Sequence, residues 1–173
     1  MEQRKMTPIL EIAPVPGAFV RVIVVEDHHH YREFVLSVLR TRPDFQVIAQ
    51  AHDGTEAVRS AKELRPDLIL LDVGLPELNG IEVARRVTLV SPGSKILFVS
   101  QESSEEVVMA ALGTGAVGYV LKADAARDLM PAINSALLGE RFVSRSIAAA
   151  GLIRYHSDSE GQPPRLVRKS GAS

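Results

Sequence analysis

Short, almost wholly apolar runs recur along this chain, and each ends in a polar residue. Val20–Val25 runs into Glu26-Asp27, and the other strands expected of this kind are Leu68–Asp72, Lys95–Ser100 and Tyr119–Lys122. Runs of this length and composition suit strands buried on both faces of a parallel sheet. Gln46–Gln50 reads as a weaker strand. Between the runs the apolar positions change to helical spacing. Phe34, Val35, Val38 and Leu39 form one stripe, Ala57, Val58, Ala61 and Leu64 a second, and Ile81–Val90 a third helix. A fourth helix runs to Leu112, with Ser103 or Ser104 as its cap and Glu105 and Glu106 in its positive first turn. A last one covers Ala125–Leu138, turning Leu129, Ile133, Ala136 and Leu137 inward. Thr55 is placed to cap the second helix. Arg42-Pro43-Asp44, Arg65-Pro66-Asp67 and Ser91-Pro92-Gly93 mark the breaks. Strand and helix alternate five times, which predicts an α/β fold: a doubly wound, five-stranded parallel sheet with helices on both faces.

Composition narrows the setting. The 173 residues are 46% hydrophobic, enough for the core of one soluble domain. Twenty basic residues against twenty-one acidic ones leave a net charge of −1, so no direct nucleic-acid or membrane-surface binding is expected of this chain. Cysteine is absent, which excludes disulfides and thiolate chemistry. No apolar stretch approaches the roughly 20 residues of a membrane helix, and the N-terminus makes a poor signal peptide, so the cytoplasm is the expected compartment. Pro8, Pro14, Pro16 and Gly17 predict a flexible arm over residues 1–18. The domain proper is expected over 19–145. Residues 146–173, polar and Pro/Gly-rich toward their end, are read as a linker remnant and flexible tail.

The chemistry lies at the strand ends. Ligands of such sheets gather outside the carboxyl ends of the strands, so Glu26, Asp27 and Asp72 are expected to converge there. Three carboxylates that close repel unless a hard cation sits among them, and Mg²⁺ favours oxygen ligands of this kind. Each residue also has a plainer reading: Asp72 as a turn cap, Ser100 as a helix cap, Tyr119 as a strand aromatic, Lys122 as a surface lysine. His28-His29-His30 is not read as a metal site. Successive helical residues point about 100° apart, so three in a row do not converge on one ion. They are taken as the start of the first helix.

The set as a whole resembles the receiver domain of bacterial two-component response regulators. Glu26-Asp27, Asp72 with Leu75-Pro76 and Asn79-Gly80 behind it, Ser100, Tyr119 and Lys122 carry the resemblance, over about residues 20–145. The segments Val24–Glu33 and Gly139–Ser144 look most like the NarL/FixJ (LuxR-type) subgroup. The resemblance implies a flavodoxin-like strand order of 2-1-3-4-5. It implies that Asp72 accepts a phosphoryl group from a histidine kinase in a Mg²⁺-dependent step. Asp27 and Asp72 would be direct metal ligands, Glu26 one acting through water, and Gly74 a ligand through its backbone carbonyl. Lys122 and Ser100 would contact phosphoryl oxygens, and Tyr119 would turn inward as Ser100 moves. The face of the fourth helix, fifth strand and fifth helix would then bind a downstream protein partner or a second copy.

The chain departs from that pattern in places. Gly74 has no side chain where many receivers carry a polar one. Gln101 follows Ser100 where a small residue is common. Ala123 stands where proline often follows the lysine, so a cis bond is not expected there. After Val143 only about thirty residues remain, too few for the subgroup's helix-turn-helix domain. The chain is either a single-domain regulator or a piece of a longer protein that controls transcription. Two alternatives stand beside the phosphoacceptor reading, under which the chain is no turnover enzyme. One is a receiver-like interaction module that is never phosphorylated. The other is a Mg²⁺-dependent phosphatase like the haloacid dehalogenases, although these want a second aspartate where Gly74 stands.

Overall fold

A computed structural model describes residues 18–149, 154–155 and 166–167. The expected N-terminal arm, Ala18 excepted, and most of the expected tail lie outside the described residues. Strands β1 (Val20–Val25), β2 (Phe45–Ala51), β3 (Leu68–Leu71), β4 (Lys95–Ser100), β5 (Gly118–Leu121) and β6 (Phe142–Val143) alternate with helices. The helices are α1 (His29–Leu39), α2 (Gly54–Leu64), α3 (Gly80–Val90), α4 (Glu105–Leu112), α5 (Ala125–Leu137) and α6 (Arg145–Ala149). One parallel sheet holds the order β2-β1-β3-β4-β5-β6. A separate antiparallel pair, β7 (Arg154–Tyr155) and β8 (Leu166–Val167), lies within the expected tail.

Side chains alternate across a strand, so each strand feeds two cores. Ile23, Val25, Ile69, Leu71 and Phe98 pack with Ala57, Val83, Val87, Val108 and Leu112 of α2, α3 and α4. Val22, Val24, Leu68, Leu70, Leu97 and Val99 pack with Val35, Leu39, Leu129 and Ile133 of α1 and α5. The continuous apolar runs follow from this burial on both faces. The step from β1 to its neighbours β2 on one side and β3 on the other opens a crevice at their carboxyl ends.

Three local expectations are corrected. The cap of α2 is Asp53, whose carboxylate accepts from Glu56 N at 2.8 Å; Thr55 lies inside the helix. Val35, Leu36 and Leu39 form the buried stripe of α1, with Phe34 and Val38 only half-buried, and in α5 Leu137 is likewise half-buried. The sheet also gains β6 beyond the expected five strands. Phe142 N donates to Val117 O at 3.1 Å and Ser144 N to Tyr119 O at 3.0 Å, closing the outer edge of β5. The expected domain limit at residue 145 falls at the start of α6, whose Ile147 is buried in the core.

Candidate functional site

The parallel ladder carries the carboxylates to the crevice. Asp72 N donates to Val25 O and Glu26 N to Ala51 O, each at 3.1 Å, so both residues leave the sheet at its carboxyl edge. Gly80 begins α3 directly behind the acceptor candidate. A Cβ at this position would overlap the carbonyl oxygen of Asp72, so the close approach of helix and loop requires glycine.

Lys122 is the first residue beyond β5. Its Nζ lies 2.7 Å from Glu26 Oε2 and 2.9 Å from Asp72 Oδ2, and 4.5 Å from the centre of the Tyr31 ring. The other oxygens are held by backbone: Glu26 Oε1 accepts from His28 N at 3.1 Å and Asp72 Oδ1 from Gly74 N at 3.3 Å. Both carboxylate side chains are 4% exposed. Burial opposes the charge on Lys122, but hydrogen bonds to Asp72 and Glu26 and their charges outweigh it. The ammonium is held above its ordinary pKa.

Asp27 stands next to this pair. One ligand atom each from Glu26, Asp27, His28 and Asp72 lie within 4.8 Å of one another. Asp27 Oδ1 is buried and accepts no hydrogen bond, with His28 Nδ1 3.0 Å away as an ion pair when that ring is protonated. An orphaned oxygen beside two more carboxylates fits a hard divalent cation. Gly74, expected to contribute its carbonyl, sits in the turn directly after Asp72.

Ser100 and Tyr119 form the next layer. Ser100 is fully buried at the end of β4, and its hydroxyl accepts from Glu102 N at 3.3 Å. Tyr119 is also fully buried, stacks on Phe98 with ring centres 5.9 Å apart, and donates its hydroxyl to Glu102 O at 2.8 Å. Burial pushes its phenol up to about 12; the Ser100 hydroxyl pulls the other way, and the charges of Glu102 and Asp72 add to the rise. Ser100 and Tyr119 thus meet on the backbone of residue 102. A cavity of about 450 Å³ opens beside Lys122, lined by His28–Tyr31, Phe34 and Gln101.

The crevice therefore brings together Glu26, Asp27, Asp72 and Lys122, with Ser100 and Tyr119 behind. Sequence reasoning did not assign three neighbours to it. His28 turns its Nδ1 toward Asp27, Tyr31 lies under the ammonium, and Arg32 donates to Glu26 O at 2.8 Å. Only the first carried a signal, the histidine run.

The family model described as the response regulator receiver domain matches residues 22–134. The chain belongs to that family. Its relatives are NarL/LuxR-type regulators. It is 32% identical to the transcriptional regulatory protein LiaR of Bacillus subtilis over 145 residues, 84% of this chain and 69% of LiaR. It is 34% identical to the nitrate/nitrite response regulator NarL of Escherichia coli, covering 73% of this chain and 58% of NarL. The match to DegU of Brevibacillus brevis is 34% identical and spans 52% of that protein, so the chain covers between about half and two thirds of such relatives. Among solved structures, a LuxR-family regulator from Aurantimonas superposes with a TM-score of 0.70 at 30% identity, over 78% of this chain and 99% of that one. The receiver domain of a NarL from Mycobacterium tuberculosis gives 0.67 at 31% identity, over 70% and 98%. The receiver fold, flavodoxin-like with order 2-1-3-4-5 plus the short β6, is that of the family.

Among the described residues no helix is long and apolar enough to cross a membrane.

Proposed function

We propose that Asp72 is the phosphoacceptor of a two-component switch and that the pocket around it is built for that transfer. The carrying observation is the buried Asp72–Lys122–Glu26 bridge at 2.9 and 2.7 Å, placed beside the unpartnered Asp27 oxygen. A carboxylate oxygen of Asp72 attacks phosphorus while the bond from phosphorus to its donor breaks, and the leaving group departs with the electron pair. The donor in the cell is a phosphohistidine of a histidine kinase, the class of protein with which response regulators pair.

Anion attacking anion needs positive charge at hand. Lys122 already touches the nucleophile, and a short swing of its flexible stem carries Nζ from Asp72 to a phosphoryl oxygen. Asp27, Asp72 and the Gly74 carbonyl would hold a Mg²⁺ ion, with Glu26 acting through water, and the bound ion would supply charge neutralisation of the transferring group. Ser100 turns its hydroxyl from Glu102 N toward another phosphoryl oxygen. Tyr119, packed inward beside it, follows that displacement. The added charge thereby biases two arrangements of the α4–β5–α5 face, which binds a downstream partner or a second copy. LiaR and DegU are named transcriptional regulatory proteins, and transcriptional control is the proposed outcome of the switch in the longer proteins of this type.

Incubation with acetyl phosphate and Mg²⁺ followed by intact-mass measurement tests this. The expected result is a phospho-adduct that Asp72→Asn abolishes. Steady hydrolysis without an adduct would point to a phosphatase, and no reaction to an interaction module that is never phosphorylated.

A further inference from the structure

We propose that His28 is a ligand of the cation site, which makes it a mixed nitrogen–oxygen site favouring a first-row transition metal such as Mn²⁺ over Mg²⁺. This rests on the reading of the acidic crevice as a cation site and adds to it a residue and a metal class.

His28 is the N-cap of α1, with extended backbone at φ −80° and ψ 112°, and its side chain makes no capping hydrogen bond. N-cap side chains ordinarily fold back onto the helix amides. Here the ring points the other way, with Nδ1 at 3.0 Å from Asp27 Oδ1 and 3.3 Å from Glu26 Oε1. With a protonated ring these contacts are ion pairs; with a neutral ring whose Nδ1 carries no hydrogen, the same nitrogen offers its lone pair beside the Asp27 oxygen, which accepts no hydrogen bond. An octahedral ion with donors at about 2.1 Å sets neighbouring donors about 3.0 Å apart and opposite donors about 4.2 Å apart. The Asp27–His28 spacing is the first of these, and all four donor residues fall within 4.8 Å of one another.

The other two histidines do not share this site. His29 turns its Nδ1 to Arg32 at 3.3 Å and stacks obliquely on His30. Imidazole nitrogen is a borderline donor that Mg²⁺ uses little, whereas Mn²⁺ and the later first-row ions accept it readily. A site with only carboxylates, carbonyl and water lacks that discrimination.

Mn²⁺ reads the ligand directly. With the intact chain, electron spin echo modulation of bound Mn²⁺ is expected to show one directly coordinated nitrogen. The signal should vanish in His28→Ala and survive in the double variant His29→Ala/His30→Ala. Competition between Mn²⁺ and Mg²⁺ should show the preference for Mn²⁺ falling about tenfold in His28→Ala. The ring caps nothing and is 68% exposed, so the variant keeps the fold. Mn²⁺ that Asp27→Asn releases but that carries no nitrogen coupling would overturn the role of His28 and leave the cation site standing. So would nitrogen coupling or a metal preference that persists unchanged in His28→Ala. Mn²⁺ binding indifferent to both Asp27→Asn and Asp72→Asn would overturn both readings together.

Discussion

Replacing Lys122 with methionine should uncover how much the crevice depends on its internal cation. The substitution keeps the length of the stem and removes the one ammonium that bridges Glu26 and Asp72, whose side chains are 4% exposed. Two ionised carboxylates at 4.8 Å or less then face each other. At an effective dielectric of about 20 that repulsion is on the order of 3.5 kcal/mol. The chain has a second route of similar cost if one carboxyl takes up a proton. Protonating a carboxyl of ordinary pKa about 4.3 at pH 7 costs about 2.7 × 1.36, or roughly 3.7 kcal/mol. The two routes agree, and breaking buried ion pairs generally costs about 3–5 kcal/mol. The metal-free variant should therefore be about 3.5 kcal/mol less stable at pH 7. With a urea slope of about 2 kcal/mol/M its midpoint falls by about 1.5–2 M. The sign of the pH dependence follows from the proton taken up on folding. Lower pH makes that proton uptake cheaper, so the variant gains on the wild type as pH falls, by up to about 1.4 kcal/mol per unit. At pH 5 the gap should be near 1 kcal/mol. Urea unfolding at both pH values measures it. A variant as stable as the wild type at pH 7, or a gap equal at the two pH values, would refute the bridge as the organising contact.

Ser144→Ala should cost about 1–3 kcal/mol in urea unfolding, because the fully buried Ser144 hydroxyl accepts from Leu121 N at 3.0 Å and its loss orphans that amide. The Arg127 hydrogen bond holds the Asp128 carboxyl below the usual carboxylate range against burial, with the Ser144 hydroxyl and the Arg145 backbone adding to it. That stability is present above the unfolded value and lost as pH falls through the folded one, so the melting advantage of wild type over Asp128→Asn should hold down to about pH 4 and shrink below it. Gln101 lines the opening beside Lys122, and Gln101→Ala should change the lifetime of the phosphorylated form; equal half-lives would remove its amide from the site.

How far the sequence led depended on the range of the interaction involved. β1 and β4 fall on the residues their apolar runs predicted, because burial on both faces writes itself into every position of the strand. β3 and β5 stop one residue short of Asp72 and Lys122, since those two serve the crevice and not the ladder. β6 has two residues and no period to detect. Asp53 outcompeted Thr55 because α2 starts a residue before the threonine. Helical spacing argues against convergence of the histidine run, yet His28 stands outside the helix at its cap, where that spacing does not apply. Tyr31 joined the site through the face of its ring, a contact without sequence signature.

β6 also changes what the β5 edge offers. A receiver sheet ending at β5 would present unpaired amides and carbonyls to a partner strand. In this chain Phe142 N, Ser144 N and the Ser144 hydroxyl engage Val117, Tyr119 and Leu121, so the β5 edge is closed and the sheet ends instead at the two-residue β6. The same three bonds fasten the backbone leaving α5 to the strand that carries Tyr119 and delivers Lys122. Each is worth about 1 kcal/mol and sits where water does not replace it. Moving the end of β5 without moving β6 would break them, so the two strands travel together. Residues 145–149 are then coupled to the acidic crevice through one continuous, hydrogen-bonded element, with no need for a relay of side chains across the surface.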